Sequence, residues 1–359
     1  MAAIVAAGAA CGSPASRPGE GAATGTATGS DPGATPAAPA STTTATAAAP
    51  ITPTTTPTSA GSTPTTASTA TTEAPAPDRR PGAAVATTHR TFVDAARNRT
   101  LTTTIYYPSA DPPSTRSLGT LPAEAPADAA PVAEAVPLVL MVHGYLLPGD
   151  GYERLMKTVA SAGYVVAAPE LPHTTAHGGD GRRSDLTNQP ADLSFVADQV
   201  IAAGPAGGVP AIRDPRRIAV VGHSDGGLTA TALGYGQQFR DLRVVAVVSL
   251  TGGVALFPGA FFTGTDLPAL LAVHARDDST NPYPASTNLF ASVPVGRARF
   301  LLTIDTGGHI DPYMFATGRV EIGDAIAAFL DLTMANDPAA APRLGHVATM
   351  PGLSLETGS

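Results

Sequence analysis

Cysteine is almost missing from this chain of 359 residues, with Cys11 the only one. It lies ahead of all patterned sequence, so disulfides, thiolate metal clusters and a cysteine nucleophile are excluded from the folded part. Charge is sparse as well. Charged side chains make up 14% of the residues, the net charge is -8, and lysine and arginine nowhere cluster. That leaves no electrostatic footprint for nucleic acid or for an anionic membrane surface. Beyond the N-terminus no run reaches the ~18 uninterrupted apolar residues of a membrane span. Tryptophan is absent altogether, so no indole is there to clamp a ligand.

The first eleven residues, "MAAIVAAGAAC", resemble the end of a bacterial lipoprotein export signal, in which the cysteine is lipidated. The basic start of such a signal is missing, the apolar run is short, and Gly8 stands where leucine is preferred, so the segment reads as a truncated signal. The expectation is an exported protein held at the cell envelope through lipid on Cys11, with a secreted or cytoplasmic protein as the alternative. Residues 12–86 are Ala, Thr, Pro, Gly and Ser with almost no large apolar side chains. Such a segment cannot bury enough area to offset its conformational entropy, and it reads as a disordered, extended tether. About 270 residues remain, which suits one α/β domain. The expected domain spans residues 87–335, with a low-complexity insert at about 109–137 and a tail over 336–359.

Within that domain "HRTFVDAARNRTLTTTIYYP" has two β-branched stretches around a polar turn, which predicts a hairpin. Strand and helix patterns then alternate. "PLVLMVH", "YVVAAPE", "RIAVVGH", "RVVAVVSL", "PALLAVHA" and "ARFLLTI" read as short buried strands. "YERLMKTVASAG", "PADLSFVADQVIAAG", a segment from about Asp225 and "GRVEIGDAIAAFLDLTM" read as helices. The alternation predicts a mostly parallel sheet with helices on both faces.

The stretch that carries chemistry is "VVGHSDGG" at residues 220–227, where a strand ends in G-x-S-x-G and opens a helix. In that context the turn strains the serine backbone and lifts its hydroxyl above the sheet, while the helix N-terminus faces any developing negative charge. Ser224 is therefore the candidate nucleophile. Serine alone is weak, so a base and an orienting carboxylate must follow it. His309, in the Gly-rich loop of "TIDTGGHIDPY", follows a strand; His346, in "PRLGHVATMPG", does not, and His309 is preferred. "HARDDSTNPY" offers Asp277 and Asp278 as neighbouring candidates for the acid, and His274 beside them reads as a satisfied core residue. His173 and His177 read as incidental members of a polar loop, so neither a metal nor another cofactor is expected.

Together "FVDAARNRTLTTTIYYP", "VLMVHGY", "ASAGYVVAAPEL", "NQPADLSFVADQV", "VVGHSDGG", "ARDDSTNPY" and "GGHIDPY" resemble α/β-hydrolase serine esterases. The group includes dienelactone-hydrolase-like proteins, chlorophyllase, platelet-activating-factor acetylhydrolase and cutinase-like polyester hydrolases. The resemblance implies the α/β-hydrolase fold and a Ser224, Asp278, His309 triad, since related hydrolases commonly carry proline four residues after the acid, as Pro282 follows Asp278. It also implies an oxyanion hole made by the N–H groups of Tyr145 and Asp225. The expected activity is cofactor-free hydrolysis of short to medium acyl esters, whether small molecules or lipids, with no nucleic-acid partner and no membrane contact beyond lipid on Cys11. An envelope acyltransferase with the same triad and a non-catalytic envelope-binding module are the alternatives. Two departures stand out: no tryptophan clamp of the polyester hydrolases is present, and Asp225 puts a carboxylate beside the oxyanion. Only 17 residues, Thr251 to Leu267, separate two strands where large lids usually insert, which predicts an open cleft walled by Glu170 to Gln189.

Overall fold

A computed structural model describes residues 82–113 and 122–358. The signal at 1–11 with Cys11, the tether up to residue 81 and residues 114–121 of the insert lie outside the described residues.

The expected hairpin forms from β1 (Val85–Asp94) and β2 (Arg99–Pro108), with Asn98 taking the left-handed turn position at φ 52°. Asparagine tolerates that conformation better than most residues. Six parallel strands follow: β3 (Leu138–Val142), β4 (Val165–Pro169), β5 (Ile218–His223), β6 (Val244–Leu250), β7 (Ala269–Ala275) and β8 (Arg299–Ile304). The last strand, β9 (Leu353–Gly358), is antiparallel to β8. The nine strands lie in the order β1-β2-β4-β3-β5-β6-β7-β8-β9.

The parallel strands are almost wholly buried because both faces are covered, and period-two alternation divides their side chains between two cores. Val139, Met141 and Val221 meet α1 (Glu153–Ser161), α5 (Val320–Leu330) and α6 (Ala340–Val347) on one face. Leu138, Leu140 and Val220 meet α2 (Gln189–Ala203), α3 (Asp225–Tyr235) and α4 (Pro284–Ser292) on the other. The chain leaves β3 through α1 to β4 on one side, then returns through α2 to β5 on the other side of β3. Such a reversal opens a crevice at the carboxyl ends of the two strands it separates. The loop after β3 and the turn after β5 are thereby brought together.

Three boundaries differ from the sequence reading. The domain begins before residue 87, because Val85 and Ala86 are already buried in β1. Part of the 109–137 insert packs back onto the body: Glu124 bridges to Val85, Pro131 to Ser109, and the Tyr107 hydroxyl donates to the Ala129 carbonyl at 2.9 Å. Residues 336–358 are no tail, since they build α6 and then β9, which gives the edge of β8 a partner. Leu344 and Val347 are the apolar signal for α6; β9 has only a short "LSLETG" and is decided by backbone pairing. The sequence reading also passed over α4, although Pro284 stands at its first turn, where proline is favoured. Among the described residues no helix is long and apolar enough to cross a membrane.

Candidate active site

The turn from β5 into α3 places Ser224 at φ 56° and ψ -121°. A non-glycine residue held there stores about 1–3 kcal/mol of strain, which persists only where the surroundings enforce it. Here backbone contact enforces it. A Cβ on Gly222 would run into the Gly226 carbonyl, and one on Gly226 into the Val142 carbonyl at the end of β3. The Ser224 N–H donates to the Leu250 carbonyl at 2.9 Å, and the Ser224 carbonyl accepts from the Leu228 N–H, starting the helix.

Three residues singled out in the sequence converge on this turn. His309 Nε2 lies 2.9 Å from Ser224 Oγ, and His309 Nδ1 lies 2.8 Å from Asp278 Oδ2. The carboxylate accepts the proton on Nδ1, which leaves Nε2 free to accept the serine O–H. Asp278 Oδ1 in turn accepts the N–H groups of Thr280 and Asn281 at 2.8 and 2.9 Å. Burial opposes ionisation of Asp278, but the bonds from His309, Asn281 and Thr280 outweigh it and hold its pKa below the ordinary carboxylate value.

Asp277 has a different task. Its exposed carboxylate accepts the N–H groups of Gly307 and Gly308, so it anchors the loop that carries His309. His274 is buried, as expected of a core residue, yet its Nε2 is 3.2 Å from Asp278 Oδ2 and its Nδ1 is 2.7 Å from Ser286 Oγ. His346 lies exposed on α6, outside this cluster. His173 and His177 engage Asp180 and Glu170 respectively. Among the described residues no group of three or more metal-ligating side chains is assembled.

The loop after β3 abuts the serine, since a methyl group at Gly144 would sit 3.2 Å from Ser224 Cβ. Its position is set by a relay that sequence reading missed. Gly144 N–H donates to the Tyr152 hydroxyl at 3.1 Å, Tyr152 O–H donates to His223 Nδ1 at 2.8 Å, and His223 Nε2–H donates to the His309 carbonyl at 2.8 Å. Burial, with the neighbouring His309 second, pushes the His223 pKa down to about 3, so the ring stays neutral and one tautomer satisfies every partner. His143 holds the same loop from below, donating from Nδ1 to the Gly144 carbonyl while Nε2 accepts the Leu171 N–H. A histidine directly before the serine was visible in the sequence; its partner 71 residues away was not.

Tyr152→Phe should therefore leave the Gly144 N–H and His223 Nδ1 unpaired in a buried place. Each such loss costs about 1–3 kcal/mol. Urea unfolding should record a destabilisation of that order, and an unshifted midpoint would remove the relay from the account.

The segment Glu170 to Gln189 does stand against this site. Leu146 N–H donates to the Thr174 carbonyl at 2.7 Å, and the Tyr145 hydroxyl donates to the Gly181 carbonyl at 2.7 Å. Both oxygens of Asp225 accept from Arg183, at 2.7 and 2.5 Å. The connection from β6 to β7 contains no helix and no lid domain. Its aromatic side chains largely turn inward, with Phe257 buried beside Leu228 and Phe239 and Phe262 against Tyr235, while Val254 and Leu256 stay exposed.

Comparison with known proteins agrees with this architecture. The chlorophyllase family profile matches residues 116–256. Chlorophyllase type 0 of Chenopodium album is 29% identical over 143 residues, which are 39% of this chain and 40% of that protein. Chlorophyllase-2 of Arabidopsis thaliana is 28% identical over 130 residues, 34% of this chain and 39% of that one. The chain thus matches about two fifths of the length of these curated relatives. A ferulic acid esterase from Streptomyces cinnamoneus superposes with a TM-score of 0.55 at 23% identity, covering 74% of this chain and 93% of that one. The fold is that of the α/β-hydrolases.

Proposed function

We propose that this protein is a serine carboxylic-ester hydrolase that works through an acyl-enzyme. The observation that carries the reading is the unbroken hydrogen-bonded line from Ser224 Oγ through His309 to Asp278, set on a strained turn at the head of α3. Ser224 Oγ attacks the ester carbonyl while His309 Nε2 takes the hydroxyl proton. Asp278 holds the ring and balances the charge of the imidazolium. Negative charge on the carbonyl oxygen is received by the N–H groups of Tyr145 and Asp225. Collapse of the tetrahedral species expels the alcohol, which takes the proton from His309. Water, deprotonated by the same nitrogen, then releases the acid and restores Ser224. The chlorophyllase match supports ester hydrolysis as the reaction class. A fluorophosphonate probe tests the reading, because it should label Ser224 covalently; an unlabelled chain would point instead to a non-catalytic scaffold.

The acyl group is short to medium. Among the described residues the exposed large apolar side chains at the carboxyl edge of the sheet are Leu146, Val254, Leu256 and Phe315, spread over three separate loops. Without a lid, little apolar surface is on offer to cover a long chain, and each methylene left in water forgoes about 0.8 kcal/mol of binding. Across p-nitrophenyl esters from acetate to palmitate, kcat/KM should peak between about two and eight carbons if this coverage limits binding. Turnover should show no jump at the solubility limit of the substrate. A palmitate optimum, or activation by emulsified triglyceride, would contradict the open cleft. Chlorophyll belongs in the same series because the matched relatives bear its name.

A further inference from the structure

The two residues whose backbone N–H groups face the oxyanion in this reading, Tyr145 and Asp225, are contacted through their side chains by one guanidinium. Arg183 donates from Nε and Nη2 to both oxygens of Asp225, and its guanidinium carbon lies 5.6 Å from the centre of the Tyr145 ring. The Tyr145 hydroxyl is tied to the Gly181 carbonyl, two residues before Arg183. Asp225 is nearly buried, whereas Arg183 is half exposed. The Asp225 carboxylate raises the Arg183 pKa, outweighing the effect of its partial burial.

The pairing answers a problem posed by Asp225 itself. A nearly buried carboxylate on the residue that donates to the oxyanion repels the charge that catalysis must create. A second unit charge at roughly 6 Å in a medium of effective dielectric about 20 opposes it by enough to slow the reaction about a hundredfold. A bidentate guanidinium cancels that field and also fixes the carboxylate geometrically. Arg183 is held in turn by a rigid base. Two residues on, Asp185 accepts both Nη atoms of the buried Arg99 at 2.7 Å, and Arg99 also pairs with Asp192 at the start of α2.

We infer that Arg183 is a positioning residue of the oxyanion hole, which acts by neutralising Asp225 and by pinning Tyr145 and Asp225 in one arrangement. The inference rests on the ester-hydrolase reading. It makes the segment 170–189 part of the catalytic architecture as well as a wall of the cleft.

The test is a double-mutant cycle on the full chain, read by kcat, KM and the affinity of an alkyl boronic acid, whose tetrahedral anionic adduct with Ser224 fills the oxyanion hole. In the otherwise native chain Arg183→Ala should lower kcat by about a hundredfold, weaken boronate binding by a similar factor, and move KM by less than about threefold. In an Asp225→Asn background the same substitution should cost less than about fivefold, because no carboxylate is left unpaired. Arg183→Lys keeps the charge and should stay within about tenfold of the native kcat. That variant also tests the idea if the alanine variant fails to fold. Equal losses in both backgrounds, a loss confined to KM, or a lysine variant as impaired as alanine would overturn the inference. If boronate fails to bind the native chain, the hydrolase reading falls with it. If boronate binds native and Arg183→Ala chains alike, only the role of Arg183 falls.

Discussion

Ser224→Ala should abolish labelling by a fluorophosphonate and lower ester turnover by about four to six orders of magnitude. The size of the effect follows from what remains. The hydroxyl lies 2.9 Å from His309 Nε2, and in the proposed mechanism it is the group that becomes the alkoxide, so its loss should leave no acyl-enzyme to form. His309, Asp278 and the N–H groups of the hole persist, and they leave a residual rate above that of water, because binding and oxyanion stabilisation survive the loss of a nucleophile. The fold should persist as well. Alanine at φ 56° bears the same strain as serine, and the glycines that enforce the turn are untouched. Circular dichroism and urea unfolding should thus be nearly native while stopped assays with a short acyl ester show no burst. A variant retaining more than a tenth of the native rate would remove Ser224 from the mechanism.

Asp278→Asn comes next in size, with an expected loss of about 10⁴ in kcat. The substitution leaves the shape of the site almost unchanged, and the Thr280 and Asn281 N–H groups still find an oxygen at Oδ1. At the other end, however, an amide NH₂ would face His309 Nδ1 where a carboxylate oxygen stood. The ring must then present a bare Nδ1 and carry its proton on Nε2, pointing at the serine hydroxyl whose proton it has to take. The wrong tautomer is fatal even in correct geometry. Asp277→Asn is the matched control. Gly307 and Gly308 both donate to Asp277 Oδ1, at 3.0 and 2.9 Å, and an amide oxygen accepts both. Its cost should stay within about threefold, as for a neutral replacement on an exposed residue. Steady-state kinetics on the two variants, one residue apart, separate the orienting acid from the loop anchor, and the opposite pattern would exchange their roles.

The contrast between those neighbours shows where sequence stops. Both aspartates lie in the turn that follows β7, and apart from the family spacing of Asp278 to Pro282 nothing local distinguishes them. The turn sends the two side chains to different partners, so one reaches His309 while the other reaches the loop that carries it. Asp225 is a second case. Its carboxylate looks adverse until Arg183 is brought beside it across 42 residues. The Tyr152 to His223 relay, the sharing of Asp278 by His274 and the pairing of β9 with β8 are of the same kind.

By itself the sequence determined whatever depends on neighbours along the chain. Continuous apolar strands alternating with helices could only be satisfied by a sheet covered on both faces. Glycines flanking a serine between a strand and a helix dictated a strained turn, because only they permit the backbones to touch. Tertiary structure alone decided which polar groups far apart in sequence pair with one another. Those choices depend on the reversal of strand order at β3 and β5 and on desolvation, which makes every buried donor, acceptor or charge seek the nearest partner whatever its distance along the chain.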